Sequence, residues 1–234
     1  ALNPEIGSFF MALGVKLLQG YGQTEASPVI SANRPGKIKI ETVGPPVSGV
    51  EVRFADDGEI LVRGDLLMKG YWRDDHSTAA TIRDGWLSTG DIGSCDDDGY
   101  ITITGRKKEI IVNSGGENIV PSRVEALLTI EPEIEQALVD GDRRPWLAAV
   151  IVPSAEARAA AASDEALKLL IAETVERANS RLSQIERVRR FIIADEGFTT
   201  GNSQLTATLK VRRHVVRAEY QDRLAALYTR GKQD

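Results

Sequence analysis

The chain has 234 residues, of which 42% are hydrophobic and 27% are charged, a composition typical of a soluble globular protein of one or two domains. No apolar run approaches the roughly 18 residues that a membrane span requires, and the N-terminal residues lack the pattern of a signal peptide, so the sequence predicts a cytoplasmic protein. A single cysteine and two histidines exclude an internal disulfide and leave little for metal clusters or Ser-His-Asp catalysis.

Charge divides the chain into two parts. Residues 1–104 carry 9 Lys and Arg against 15 Asp and Glu, a net charge of −6, whereas residues 105–234 carry a net charge of +1. Neither part is basic enough to predict a nucleic-acid-binding surface.

The first part consists mainly of predicted short strands. Residues 43–54 and 59–63 flank the segment Ala-Asp-Asp-Gly, whose Asp-Gly pair is a strong hairpin signal. Residues 100–104 form a further strand after a glycine turn. These strands predict a small antiparallel β-sheet or barrel.

The second part mixes helices and strands. Pro121 is predicted to start a helix, and Ser163 to start an amphipathic helix that extends to Leu182. The remaining predicted elements are strands at 138–140, 146–152 and 190–194, a loop at 195–204 and a final helix at 211–228. The chain is therefore predicted to be α+β, with a β-sheet domain at 1–104 and an α+β domain at 105–234.

A glycine-flanked motif at residues 20–25, Gly-Tyr-Gly-Gln-Thr-Glu, carries the first candidate site. It places an aromatic ring (Tyr21), a hydroxyl (Thr24) and a carboxylate (Glu25) close together. A nucleotide base, an α-phosphate and Mg²⁺ require these three kinds of contact. Judged alone, the segment also fits a strand end followed by a turn.

Asp91 follows a glycine turn and has two oxygens that can accept both hydroxyls of a ribose, although an Asx turn is the alternative. Arg106 is a candidate ribose or phosphate donor, and Lys108 stands where a hinge would absorb a change in φ and ψ. The pair Gly115 and Gly116 fits either a hairpin turn or bare backbone beside a thin substrate arm.

Lys210 follows a long polar loop. A single lysine delivered on a loop is how carboxylate-activating enzymes contact phosphate, because charge develops there during the reaction. The sequence therefore indicates carboxylate activation.

Five segments in order resemble the adenylate-forming superfamily of acyl-CoA synthetases, luciferases and peptide-synthetase adenylation domains. They are 21–25 (Tyr-Gly-Gln-Thr-Glu), 58–64 (Gly-Glu-Ile-Leu-Val-Arg-Gly), 88–91 (Ser-Thr-Gly-Asp), 105–109 (Gly-Arg-Lys-Lys-Glu) and the segment around Lys210. Residues 113–121, 141–145 and 205–213 make the chain most similar to bacterial long-chain fatty acyl-CoA synthetases. The resemblance covers essentially all of the chain.

The resemblance implies a role for each candidate residue. The residues implied to bind ATP or AMP are Tyr21, Gly22, Gln23, Thr24, Asp91 and Arg106, with Tyr21 packed on adenine, Thr24 on the α-phosphate and Asp91 on the ribose. Glu25 would hold Mg²⁺, and Thr24, Glu25 and Lys210 would act in catalysis. Lys108 would be the hinge, and Gly115 and Gly116 would line the path of coenzyme A.

The implied activity is that of a long-chain fatty acid–CoA ligase. A fatty carboxylate attacks the α-phosphorus of ATP to give acyl-adenylate and pyrophosphate, and coenzyme A then displaces AMP. One alternative is an acyl-AMP ligase or a peptide-synthetase adenylation domain that uses a carrier protein, and another is a non-catalytic module that binds nucleotide or a partner. The resemblance implies no nucleic-acid partner and leaves open a peripheral membrane contact of the full-length enzyme.

Two departures from the family pattern shape the expectations. Thr206-Ala207-Thr208 replaces the usual Thr-Pro-Thr, which removes a constraint on φ and predicts a looser loop. The Ser/Thr/Gly-rich phosphate loop of the family does not occur in these residues, so the chain is predicted to be a fragment without acyl-dependent ATP–pyrophosphate exchange of its own. The apolar side chains expected to be exposed, or buried by self-association, are Phe9, Phe10, Met11 and Leu13.

Overall fold

The computed structural model describes residues 4–229. Two compact units, Ala1–Lys108 and Glu109–Asp234, make up the chain. Helices and strands occur in both, which confirms the predicted α+β class. Within the described residues, no helix combines the length and the apolarity that a transmembrane span requires.

The first unit is built on a five-stranded antiparallel sheet. Its elements are α1 (Pro4–Ala12), β1 (Gly20–Tyr21), β2 (Ser31–Ala32), β3 (Glu51–Phe54), β4 (Glu59–Arg63), α2 (Asp75–Thr81), β5 (Ile82–Arg83), β6 (Trp86–Cys95) and β7 (Ile101–Arg106). Strand β6 pairs with β4, β5 and β7, because its ten residues are long enough to accept partners along both edges. Ile60, Leu87 and Ile101 are fully buried and anchor the core of this unit.

The predicted Asp-Gly hairpin is confirmed. Strands β3 and β4 pair antiparallel, and the N–H of Gly58 donates to the carbonyl oxygen of Ala55 at 2.8 Å. Gly58 has a φ of +80°, which glycine adopts without the steric cost that a Cβ would bring. The turn therefore fixes the register between β3 and β4.

Two parts of the sequence interpretation need correction in this unit. The predicted strand at 43–54 begins only at Glu51, because Pro45 and Pro46 have no N–H to donate into a ladder. Strand β6 was not predicted, because Gly90 and Gly93 interrupt the apolar alternation that would mark a strand.

The second unit has a three-stranded sheet with helices packed on both faces. Its elements are β8 (Ile111–Val112), β9 (Asn118–Ile119), α3 (Pro121–Thr129), β10 (Ile134–Asp140), β11 (Leu147–Pro153), α4 (Ala155–Ala160), α5 (Asp164–Asn179), β12 (Val188–Ile193), α6 (Arg213–Glu219) and α7 (Gln221–Thr229). Strand β11 lies between β10, which is antiparallel to it, and β12, which is parallel. Alternate side chains of β11 pack with α3 and α5 on one face and with α6 and α7 on the other, so the whole strand is buried.

Local signals correctly predict where two helices of this unit begin. Pro121 is the first residue of α3, where a missing N–H costs no hydrogen bond. The Ser163 hydroxyl accepts a hydrogen bond from the N–H of Ala166 at 3.2 Å and caps α5. Both helix starts therefore follow from side-chain chemistry near the terminus.

The predicted ends of two helices are wrong. Helix α5 ends at Asn179, so Leu182 lies beyond it. The predicted helix at 211–228 starts at Arg213 and is two helices that break at Tyr220, whose ψ is 12°. Tyr220 is buried, and its hydroxyl accepts the N–H of Asp195 at 3.1 Å, so tertiary contacts hold the break in place.

Candidate functional site

Asp91 is the buried centre of a polar cluster in the first unit. It lies opposite Arg106 in the β6–β7 ladder and is only 4% exposed. Its Oδ2 accepts a hydrogen bond from the Tyr21 hydroxyl at 2.6 Å, and its Oδ1 lies 3.1 Å from Nε of Arg106. An ionised carboxylate offers about four acceptor positions, so Asp91 can accept two further hydroxyl groups.

Tyr21 enters this cluster as a hydrogen-bond donor. Burial raises the pKa of the Tyr21 phenol well above its usual range, and the hydrogen bond to Asp91 acts in the same direction. The hydroxyl therefore keeps its proton at neutral pH and holds the half-buried ring at the edge of Asp91.

The side chains of Thr89 and Glu59 fix the backbone just before Asp91. The Thr89 hydroxyl donates to the carbonyl oxygen of Ile60 at 2.7 Å and accepts the N–H of Asp91 at 3.1 Å. The N–H of Gly90 donates to Oε1 of Glu59 at 2.9 Å. Gly90 has a φ of +72°, so the chain turns sharply just before the carboxylate.

The segment after Tyr21 requires a glycine. A Cβ at Gly22 would lie 1.5 Å from the carbonyl oxygen of Pro28, so no other residue fits without backbone movement. Gln23 precedes a 3₁₀ helix at Thr24–Ala26, and among the described residues its buried Nε2 has no hydrogen-bond partner. A buried amide without a partner is a group that a ligand acceptor would satisfy. Thr24 itself is exposed.

Two contacts within the first unit hold Glu25 in place. Its Oε1 accepts a hydrogen bond from the Tyr71 hydroxyl at 3.0 Å, and its carbonyl oxygen accepts the N–H of Met68 at 2.9 Å. Residues 4–229 contain no group of three or more His, Cys, Asp or Glu side chains arranged to hold a metal ion. A single carboxylate nevertheless fits Mg²⁺, which is usually held by one or two carboxylates together with substrate phosphates.

In the second unit, Lys210 lies on a short hairpin. The N–H of Lys210 donates to the Thr206 hydroxyl at 3.0 Å, and its carbonyl oxygen accepts the N–H of Thr206 at 2.8 Å. At the base, the N–H of Arg212 donates to the carbonyl oxygen of Gln204 at 2.8 Å. Leu209 at the tip has a φ of +60° and is 72% exposed, so Lys210 stands beside a strained, solvated turn.

Arg213 ties the end of this hairpin to the core of its unit. Two of its nitrogens donate to Oε1 of Glu125 at 2.7 and 2.6 Å, and its Nε lies 3.5 Å from Oε2 of Glu109. Glu125 also accepts the N–H of Val139 at 2.7 Å. Burial raises the pKa of the Glu125 carboxyl, and the positive charge of Arg213 opposes that rise.

The remaining candidate residues lie at turns. Gly115 and Gly116 form the turn between β8 and β9, where Oδ1 of Asn113 accepts the N–H of Gly115 at 2.9 Å and that of Glu117 at 3.0 Å. The hairpin-turn interpretation of the glycine pair is therefore correct as a description of the backbone. Lys108 is exposed and lies in a 3₁₀ helix at Lys107–Glu109.

The structure brings Tyr21, Asp91 and Arg106 into one cluster, and Glu25 accepts a hydrogen bond from the Tyr71 hydroxyl. The sequence interpretation gives no role to Glu59, Tyr71 or Arg213, which hold the candidate residues in place. Glu59 lies in one of the five family-like segments, and that position was the available signal.

Two protein families match the chain. The AMP-binding enzyme C-terminal domain matches residues 108–232, and the AMP-binding enzyme family matches residues 1–72. The first match alone covers more than half of the chain.

Named relatives agree with these matches. The chain is 41% identical to the long-chain-fatty-acid–CoA ligase FadD15 of Mycobacterium bovis, over 98% of this chain and 41% of that protein. It is 34% identical to the long-chain-fatty-acid–[acyl-carrier-protein] ligase AEE15 of Arabidopsis thaliana, over 98% of this chain and 35% of that protein. The chain thus spans about two fifths of the length of such relatives.

Solved structures show the same fold. The adenylation and carrier-protein didomain of carboxylic acid reductase from Segniliparus rugosus, in complex with AMP, aligns with a TM-score of 0.84 and 29% identity over 98% of this chain and 34% of that one. The o-succinylbenzoate CoA synthetase of Bacillus subtilis, in complex with its acyl-adenylate intermediate, aligns with a TM-score of 0.75 and 26% identity over 92% of this chain and 43% of that one. The fold of this chain and its two family matches therefore show that the chain belongs to the AMP-binding enzyme family.

Proposed function

We propose that the chain contributes the nucleotide site and the Lys210 hairpin of an AMP-forming long-chain fatty acid–CoA ligase. The observation that carries this proposal is the cluster of Tyr21, Asp91 and Arg106, which presents an aromatic ring and a buried carboxylate side by side. A nucleoside offers a base and a diol to match them. The identity to fatty-acid–CoA ligases supports the same conclusion.

The proposed nucleotide site uses residues of the first unit. Tyr21 packs on the adenine of ATP or AMP, with Gly22 and Gln23 beside it. Asp91 accepts the ribose hydroxyls, and Arg106 keeps that carboxylate oriented. Because Asp91 is buried, its contacts to the hydroxyls are shielded from competing water.

Thr24 and Glu25 face the phosphates in this proposal. Thr24 donates a hydrogen bond to the α-phosphate, and Glu25, oriented by Tyr71, holds Mg²⁺. Mg²⁺ when bound neutralises charge on the phosphates. Lys210 stabilises the charge that develops as a fatty carboxylate attacks the α-phosphorus, an effect worth about 3–4 kcal/mol for a well-placed donor.

In the proposed second step, coenzyme A displaces AMP. The turn at Gly115 and Gly116 lines the path of the pantetheine arm, because glycine backbone leaves room for it. Lys108 is the proposed hinge between functional domains at 1–104 and 105–234. Two observations support a pivot at this position. Lys108 is exposed, and the boundary between the two compact units falls between residues 108 and 109 of the sequence.

Calorimetry with AMP tests the nucleotide site on this polypeptide. We expect AMP to bind and the substitution Asp91→Asn to weaken binding by about 10-fold or more, the range for hydrogen bonds to a charged group. Asp56→Asn, at an exposed turn of the same unit, is the matched control and should leave affinity unchanged. Absence of AMP binding, or equal affinity in the two variants, would refute the assignment.

A carrier protein is the second candidate acceptor of the acyl group, because AEE15 is named an acyl-carrier-protein ligase. The two candidates differ in their need for the turn at Gly115 and Gly116. Binding of coenzyme A that is lost in Gly115→Leu would support the CoA ligase. Acyl transfer to a carrier protein, without coenzyme A binding, would support the alternative.

Helix α1 and the residues after it expose an apolar surface, for which we propose self-association. The exposed fractions are 60% for Phe9, 42% for Phe10, 36% for Met11 and 65% for Leu13. Light scattering that gives the mass of one chain, without binding of an apolar dye, would contradict this proposal.

The proposed location is the cytoplasm, with peripheral membrane contact as a source of fatty acid.

A further inference from the structure

Glu59 lies at the start of β4, is 8% exposed and makes contacts that reach both sides of the Asp91 cluster. Its Oε1 accepts the N–H of Gly90 at 2.9 Å, and its Oε2 accepts a hydrogen bond from Nζ of Lys107 at 2.9 Å. Gly90 directly precedes Asp91, and Lys107 directly follows Arg106. One buried carboxylate therefore holds the chain neighbours of both members of the ion pair.

The contact to Gly90 controls the direction in which Asp91 enters the cluster. Gly90 has a φ of +72° and no partner in the β4–β6 register, and its N–H donates instead to the side chain of Glu59. The pairing between β4 and β6 shifts register in this region, which leaves room for a side chain to act as that acceptor. Without Glu59, the turn before Asp91 would lose one of the two side-chain contacts that fix it, the other being that of Thr89.

The contact to Lys107 acts on Arg106 in the same way. Lys107 is the first residue after β7, and Oδ2 of Asp57 also lies 2.5 Å from its Nζ. The Asp57 side chain is half-exposed, whereas the carboxylate of Glu59 is largely shielded from water, so Lys107 is paired with one exposed and one buried carboxylate. The end of β7, and with it the backbone of Arg106, is held against β4 by this ion pair.

We propose that Glu59 is a positioning residue for ribose recognition. It does not touch the nucleotide, but it sets the distance and angle at which Asp91 and Arg106 meet the diol. This inference rests on the proposed nucleotide site. It predicts that Glu59 affects only the part of nucleotide affinity that depends on the ribose hydroxyls.

The test compares AMP with 2′,3′-dideoxy-AMP by calorimetry on the chain and its variants. The unsubstituted chain should bind AMP about 10-fold or more tightly than the dideoxy analogue, the range for hydrogen bonds to a charged acceptor. In Glu59→Ala that ratio should fall to about 1–3, while affinity for the dideoxy analogue changes less than about 2-fold. Glu59→Gln keeps an oxygen for Gly90 but loses one of the two carboxylates that pair with Lys107, so its ratio should lie between that of the unsubstituted chain and that of Glu59→Ala.

The control is Glu51→Gln, which removes a carboxylate from the neighbouring strand β3, where Glu51 pairs with exposed Arg63. Its ratio should equal that of the unsubstituted chain. Equal weakening of both nucleotides in Glu59→Ala and Glu59→Gln would mean a general structural effect and would overturn the inference, as would an unchanged ratio in both. If the unsubstituted chain does not bind AMP, or does not prefer AMP to the dideoxy analogue, the proposed function and this inference both fail. If the unsubstituted chain prefers AMP but the Glu59 variants behave as just described, only this inference fails.

Discussion

Replacement of Arg213 by Met should destabilise the second unit by leaving a buried carboxylate without its partner. Arg213 and Glu125 side chains are each only 18% exposed, and the guanidinium makes two hydrogen bonds to one carboxylate oxygen. Removal of one partner from such a pair typically costs about 3–5 kcal/mol. After the substitution, the N–H of Val139 would be the one donor to that oxygen left among residues 4–229.

The loss should depend on pH in a defined direction. Burial already raises the pKa of Glu125 in the folded chain above that of an unfolded glutamate, about 4.3. A carboxyl with a raised folded pKa stabilises the fold most below the unfolded pKa, and this contribution is lost as pH rises through the folded value. Without Arg213 the pKa of Glu125 rises further, so the destabilisation should be larger at pH 8 than at pH 5.

Denaturant unfolding followed by Trp146 fluorescence measures this effect. The chain has three tryptophans, and substitution of Trp72 and Trp86 by Phe leaves Trp146 as the sole reporter, which lies in the second unit. Arg212→Met is the control, because within the described part of the chain the Arg212 side chain donates one hydrogen bond, to the carbonyl oxygen of Ser203. Its loss should cost about 1 kcal/mol.

The double variant Glu125→Leu with Arg213→Met should recover part of the loss, because it buries no unpaired charge but leaves the N–H of Val139 without its side-chain acceptor. A loss below about 1 kcal/mol for Arg213→Met would refute the reasoning, because it is less than a buried pair requires. The same loss at pH 5 and at pH 8 would also refute it.

Two further predictions concern the first unit. Gly22→Ala should lower the stability of this unit by about 1–3 kcal/mol in thermal unfolding, because the new Cβ overlaps the Pro28 carbonyl. Gly201→Ala in the second unit, where a Cβ would meet nothing closer than 3.6 Å, should be neutral for the unit that contains it, and equal effects would contradict the steric argument. Cys95 is exposed, but partial desolvation raises the pKa of its thiol and the charge of Asp96 acts in the same direction. Iodoacetamide should therefore alkylate the folded chain at pH 7 more slowly than the urea-unfolded chain, and equal rates would count against the shift.

Sequence patterns predicted the elements whose cause is local. The apolar run predicted as a buried strand at 146–152 corresponds to β11 at Leu147–Pro153, which is buried at every position. The Ser163 cap and the Asp-Gly hairpin are decided by neighbours a few residues away. Each of these signals needs no knowledge of the rest of the chain.

Contacts between distant residues could not be predicted in this way. The bond from Tyr21 to Asp91 joins residues 70 positions apart, and that from Arg213 to Glu125 spans 88 positions. No spacing rule connects such pairs, because their approach depends on strand pairing and helix packing. The break at Tyr220 was missed for the same reason, since its cause is a contact with the loop after β12.

The parallel pairing of β11 with β12 has a consequence for the order in which the second unit folds. Residues 154–187 separate the two strands, whereas only residues 141–146 separate β10 from β11. The antiparallel pair therefore closes a short loop and should form early. Formation of the parallel pair closes a long loop, which costs more conformational entropy, and should be later. During synthesis β11 keeps an open, apolar edge until residue 193 has emerged, so pauses before that point should favour aggregation over folding.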